Sequence, residues 1–273
     1  MGAFVIWGVS PLWFALLNDL PALEVVAHRI VWAVPAIGLY AAMTGRWPRV
    51  RQVGREPRRL GPVALAAAFI SVNWFVFILA IQAGRAFEAS FGYYIYPIIA
   101  VLLGALVFRE RIGPLQWAAA GLAALGCLWI ALERGTAPWI ALVVACSFAA
   151  YGIIRKSVPV GPLVGVLWEL VLVTPPLLLY LWWIGGGAFG ASLPVSLLLL
   201  GCSLFTALPL VMYVEAAKRL KFSTVGILFY LNPSLQFASA FLLGETLGPA
   251  ALGAFGFIWA GVALYCYDLL RHR

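Results

Sequence analysis

The chain has 273 residues, 64% of them hydrophobic and only 10% charged, with 18 basic and 10 acidic side chains and a net charge of +8. Soluble globular proteins carry about 25% charged residues, so this composition excludes an aqueous fold and implies an all-α integral membrane protein. The basic excess lies beside apolar runs, where it orients spans, and implies no nucleic-acid partner.

A helix needs about 20 apolar residues to cross the hydrocarbon. Ten such runs lie between Gly, Pro and Arg breaks, at roughly 1–17, 22–43, 61–81, 87–108, 113–132, 138–156, 161–183, 194–215, 222–243 and 248–270. Span one lacks a charged n-region and a cleavage site, so no removable signal peptide is expected. It carries Trp7, a cavity candidate that competes with the usual interfacial or packing role of tryptophan.

In span two, Glu24 and His28 are four apart and share a face, and Arg29 lies about 100° further round the helix. Ionisable groups within spans are costly in lipid and are functional candidates by default. Arg29 stays charged and forks onto carboxylates, and His28 titrates near neutral pH. An internal pair of Arg29 with Glu88 or Glu169, serving only to hold helices together, is an equal reading. The loop "TGRWPRVRQVGREPRR" that follows reads as a topology anchor ahead of an anionic-lipid surface.

Span three brings Asn73 and Trp74 to the cavity set, with interhelical bonding the alternative for Asn73. Span four opens with Glu88, which suits a helix N-terminus as well as a transport role, and continues through Tyr93, Tyr94, Tyr96 and Pro97. Span nine has the same shape, with Tyr230, Asn232 and Pro233. A proline inside a helix removes a backbone hydrogen bond and bends the chain, and freed carbonyls are tolerated only in protein or along a cavity. These residues are therefore expected to line a midplane cavity, with simple kinking and interhelical bonding the competing reading.

Both of these spans lead into Glu-x-(Ile or Leu)-Gly-Pro, at Glu110–Pro114 and Glu245–Pro249. Proline suits the first turn of the next helix and the glutamate its positive end, so Glu110 and Glu245 are expected to be hairpin structure. Glu169 sits about 12 Å into span seven, where a carboxylate must be neutral, paired or part of a proton relay. The four cysteines, Cys127, Cys146, Cys202 and Cys266, lie within spans without Cys-x-x-Cys spacing, which points to no disulfide and no metal site.

Basic residues tally with this layout when the N-terminus is inside. Fifteen of the 18 fall on inner loops or the inner tail: the six arginines from Arg46 to Arg59, with Arg109, Arg111, Arg155, Lys156, Lys218, Arg219, Lys221, Arg271 and Arg273. Outer loops hold only Arg85 and Arg134, and Arg29 alone falls within a span. An offset of 135 pairs Glu110 with Glu245, Gly113 with Gly248, Pro114 with Pro249, Gly121 with Gly256 and Gly126 with Gly261; Pro97 and Pro233 match at 136. Five spans per half is odd, so the second copy is inverted. An inverted repeat is the mark of a transporter that exposes one midplane site to each side in turn.

The stretches "HRIVW", "NWFVF", "EASFGYYIYP", "YGIIRK" and "RLKFSTVG" resemble the drug/metabolite transporter superfamily with two EamA-type repeats, and within it the RarD group, over nearly the whole chain. The family's usual pattern begins a few residues earlier. The resemblance implies export of a small metabolite or drug across the bacterial inner membrane, with spans five and ten peripheral. The expected architecture is ten transmembrane helices as two inverted five-helix repeats, residues 1–135 and 136–273, with both termini cytoplasmic.

No Gly-x-x-x-x-Gly-Lys-Ser/Thr loop is present for ATP, and two histidines are too few for paired haem or zinc ligation, so no cofactor is expected. The expected partners are a small-molecule substrate, with proton coupling, and membrane lipid; a homodimer stays open. An intramembrane enzyme acting on a lipid or carrier-linked group is the alternative, though only scattered carboxylates would serve it. A non-transporting sensor or assembly partner is the third reading, and it lacks a soluble output domain.

Overall fold

Proline, whose fixed φ suits the first helical turn and whose missing N–H costs nothing there, begins four of the long helices at Pro57, Pro114, Pro162 and Pro249. The structure, a computed structural model, describes residues 1–82, 86–134, 139–242 and 249–271. In chain order the helices are α1 Gly2–Phe14, followed by a 3-10 turn Ala15–Leu17, then α2 Ala22–Val31, α3 Ala33–Met43 and α4 Trp47–Arg55. Next come α5 Pro57–Gln82, α6 Ala86–Leu106, α7 Pro114–Arg134, α8 Trp139–Ser157 and α9 Pro162–Trp183. The chain ends with α10 Leu193–Gly201, α11 Leu204–Arg219, α12 Phe222–Leu228, α13 Leu231–Leu242 and α14 Pro249–Arg271. No strand occurs among the described residues.

Five helical segments among the described residues are long and apolar enough to cross a membrane: Ala22–Met43, Pro57–Phe77, Trp139–Ser157, Pro162–Trp183 and Leu193–Arg219. Gly2–Leu17 and Phe91–Leu106 are shorter apolar helices. Three helical runs are interrupted where the sequence suggests continuity or a mere kink. The breaks fall at Trp32, at Cys202–Ser203 and at Phe229–Tyr230. Pro233 explains the last, because its ring cannot donate to Phe229 O; that carbonyl instead accepts from Asn232 N in a tighter turn, at 2.9 Å. Pro97 has no such effect, and α6 runs through it unbroken.

Two other prolines free carbonyls that polar side chains then satisfy, as low-dielectric burial requires. Pro11 leaves Trp7 O to accept from Ser10 Oγ at 2.7 Å. Pro209 leaves Phe205 O to accept from Trp7 Nε1 at 3.0 Å, which ties α1 to α11.

α7 packs along α14, and small residues let the backbones touch. A Cβ on Gly126 would lie 2.7 Å from Ala254 O, and one on Gly261 2.6 Å from Ala119 O. Elsewhere α8 packs on α5 and α6, α6 on α12, and α1 on α13 and α11, while α9 holds α2, α3 and α5. The short α4 is amphipathic. Val50 and Val53 are buried, and Trp168 of α9 donates from Nε1 to Val50 O at 2.9 Å while its ring occupies the space a side chain at Gly54 would need.

Candidate functional site

Phe148, on α8, is the centre of an aromatic cluster drawn from four helices and the break between α12 and α13. Its ring lies 4.9 Å from Tyr96, 5.1 Å from Tyr213, 5.3 Å from Phe229, 6.1 Å from Tyr93 and 6.2 Å from Trp7. Edge-on and tilted pairs of this kind add specificity beyond area burial. The hydroxyls are bonded: Tyr96 Oη and Tyr213 Oη are 2.8 Å apart, and Tyr93 Oη donates to Asn73 Oδ1 at 3.0 Å. Asn73 is fully buried and donates from Nδ2 to Val144 O at 2.8 Å and to Ser147 Oγ at 3.2 Å, so it cross-links α5, α6 and α8. Trp74 packs, partly buried, against the same core.

The tyrosines of span four divide between two clusters. Tyr93 and Tyr96 face Phe148, but Tyr94 and Tyr230 lie in a second cluster with Cys127, Ala119, Ala254 and Ile258, against α7 and α14. Tyr94 Oη donates to Pro233 O at 3.0 Å, and Tyr230 Oη is buried without a hydrogen-bond partner among the described residues. Asn232 is buried and accepts from Gln236 Nε2 at 3.1 Å. Pro97 and Pro233 are both buried.

Glu169 pairs with Arg155 rather than with Arg29, the internal pair that was one of two equal readings. Its Oε1 lies 2.7 Å from Arg155 Nε, with both side chains buried, and its Oε2 accepts from Tyr151 Oη at 3.0 Å. Arg155, which the charge layout assigns to an inner loop, is instead the largest fully buried side chain. Gly165 makes that possible, since a Cβ there would fall on the guanidinium. The signal was legible: Tyr151 and Arg155 share a face of one helix, four residues apart, and the nearest downstream acidic residue is Glu169. Phe148, Tyr213 and Phe229 carried no signal beyond being aromatic in a span.

Arg29 pairs with no carboxylate among the described residues. Nε donates to Thr206 Oγ1 at 2.6 Å, and the guanidinium carbon sits 5.2 Å from the Phe14 ring centroid. Its helix neighbours face elsewhere. His28 stacks on Phe189 at 5.5 Å, and Glu24 Oε1 accepts from Ala188 N at 2.5 Å. Glu24 therefore pins the 184–191 loop, where Gly187 has φ +67 and a Cβ would strike that carboxylate. The Glu88 side chain and all of Glu245 lie outside the described residues.

Glu110 is structural, as expected, but caps another helix than the one it precedes. Oε1 accepts from Phe222 N, and Oε2 from Ser223 N at 3.0 Å and Ser223 Oγ at 2.6 Å, at the positive end of α12. Beside it, Lys156 of α8 donates to Ala217 O at 2.7 Å and Leu220 O at 2.5 Å at the end of α11, while Lys218 of α11 donates to Val158 O just beyond α8. The ends of α6, α8, α11 and α12 are thus clamped together at one end of the bundle.

An EamA-like transporter family profile matches residues 1–132. Protein RarD of Streptomyces exfoliatus is 39% identical over 275 residues, covering 99% of this chain and 87% of that protein. An uncharacterized transporter of Pseudomonas aeruginosa is 39% identical over 277 residues, covering 98% and 92%. The uncharacterized transporter YojE of Bacillus subtilis is 35% identical over 279 residues, covering 99% and 93%. A crystal structure with 18% sequence identity aligns at a TM-score of 0.76 over 100% of this chain and 96% of that one, a likeness of fold alone.

Proposed function

The chain belongs to the EamA-like transporter family, among the RarD-type permeases, and from that premise we propose that it exports a small, partly apolar metabolite or drug across the bacterial cytoplasmic membrane by alternating access, without catalysing a reaction. Ten spans form two inverted repeats, residues 1–135 and 136–273, around a site walled by the Phe148 cluster, and Glu169 provides the proton-coupled carboxylate.

The observation that carries this reading is the contact of α7 with α14. Adding 135 to Ala119 gives Ala254 and to Gly126 gives Gly261, so Gly126 against Ala254 and Gly261 against Ala119 are one contact repeated by a two-fold exchange. The same exchange relates α6 on α8 to α13 on α1, and α5 on α8 to α11 on α1. A two-fold exchange between halves of opposite orientation is what alternating access requires. The Lys156, Lys218 and Glu110 clamp then closes the cytoplasmic mouth and must open during the cycle.

Vesicles containing the purified protein, offered a mixed metabolite pool with and without a pH gradient, should accumulate or lose specific solutes relative to protein-free vesicles. If no solute moves in either condition, the transport reading fails. Orientation has its own test in a cysteine-free background. A cysteine at exposed Ala191 should react with an impermeant maleimide on intact cells, and one at exposed Arg51 only after permeabilisation; Val53 in the same helix is buried and would not report. The reverse pattern would refute the cytoplasmic placement of both termini.

A further inference from the structure

Two helix-borne arginines, Arg29 of α2 and Arg155 in the last turn of α8, differ in their surroundings. Arg155 is neutralised by Glu169 at 2.7 Å. Among the described residues Arg29 is held within hydrogen-bond distance only by the neutral Thr206 hydroxyl, which itself donates to Cys202 O at 3.5 Å. No carboxylate among the described residues lies within ion-pair distance of it. Its Nε is committed to Thr206, so the end-on fork of Nη1 and Nη2, the edge that takes a carboxylate with two parallel hydrogen bonds, is not held by any described side chain. The guanidinium rests on the Phe14 ring, and Phe14 in turn packs on Phe205, which packs on Trp13 at 5.5 Å. A charge that is costly to hold in a low-dielectric interior is thus oriented by the Thr206 and Phe14 contacts beside apolar rings.

We infer that the solute this protein carries is an organic anion, with a carboxylate received by the Arg29 fork and an aromatic or aliphatic body laid against the neighbouring rings. The inference rests on the transport reading and narrows it: neutral and cationic drugs of the same shape are poor substrates. It also assigns Thr206 a positioning role, since it takes Nε and leaves the fork without a described side-chain partner.

Vesicles holding the protein are offered phenylacetate, its neutral amide and the cationic phenethylamine, alongside the mixed metabolite pool. Phenylacetate should move, the amide and the amine at least tenfold more slowly, and Arg29→Gln should remove that preference. Arg29→Lys, which keeps the charge and loses the fork, should fall between. A ligand-free readout completes the test: because Arg29 is an uncompensated cation, Arg29→Met should match or raise the melting temperature of the detergent-solubilised protein. The inference is overturned if amide or amine moves as fast as phenylacetate, if the pool moves without phenylacetate, or if Arg29→Met melts well below wild type. Movement of nothing at all sinks the transport reading instead.

Discussion

Arg155→Met should lower the melting temperature sharply and cut the yield of folded protein, because removing one member of a buried ion pair costs about 3–5 kcal/mol. The substitution strands the Glu169 carboxylate, which then keeps only the Tyr151 hydroxyl at 3.0 Å. Glu169→Gln should be similarly harmful, since it leaves a guanidinium with no accessible surface facing a neutral amide. A loss of transport in Glu169→Gln alone therefore cannot be assigned to proton coupling. Arg155→Met combined with Glu169→Leu removes both charges and replaces them with apolar volume, which is often neutral or stabilising, so the double variant should regain most of the lost stability. If the double variant still folds but its transport no longer responds to pH, the coupling role of Glu169 gains support. Gly165→Ala supplies an independent check, as its methyl would occupy the guanidinium's place and should destabilise wild type but not the double variant. Additive losses across the double-mutant cycle, or a wild-type melting temperature for Arg155→Met, would falsify the pairing.

The sequence made helices and their limits legible because apolar run length and proline position act locally. Pro57, Pro114, Pro162 and Pro249 each begin a helix, within a few residues of the limits read from composition. Partners were less legible, because they depend on how helices rotate about one another. Arg155 reads as an inner-loop charge until α8 turns its last two turns toward Gly165. Tyr93, Tyr94 and Tyr96 read as one polar group, yet a helix separates successive residues by about 100°, and Tyr94 faces α7 and α14 while its neighbours face Phe148. Trp7, a cavity candidate, packs its ring on Phe148 and also satisfies, through Nε1, the carbonyl that Pro209 frees. That pairing could have been anticipated only by asking where each proline's orphaned acceptor finds a donor.

Pro97→Ala and Pro233→Ala should each slow transport at least tenfold, and should do so by trapping opposite facings. Under the inverted-repeat transport proposed above, the two halves exchange conformations as the site changes sides, so differences between equivalent segments would mark one facing. Tyr94 and Tyr230 are equivalent at the 136 offset that relates Pro97 to Pro233. Here the Pro233 run is broken at Phe229–Tyr230 while α6 is continuous through Pro97. Tyr94 Oη reaches Pro233 O, and Tyr230 Oη, whose equivalent acceptor is Pro97 O, has no partner among the described residues. The opposite facing should therefore break span four, heal span nine and hand the hydrogen bond from Tyr94 to Tyr230. Alanine restores the missing helical donor, so Pro233→Ala favours the opposite facing and Pro97→Ala favours this one. Tyr94→Phe and Tyr230→Phe should bias the equilibrium more gently, by about fivefold each for a net hydrogen bond of about 1 kcal/mol, again in opposite directions. The readout is a cysteine at Ala217, which is buried beneath the Lys156 clamp in this facing. Its labelling from the cytoplasmic side should rise with Pro233→Ala and Tyr94→Phe and fall with Pro97→Ala and Tyr230→Phe. Wild-type transport in both proline variants, or a shift of labelling in the same direction in both, would show that the prolines are packing features with no part in the exchange.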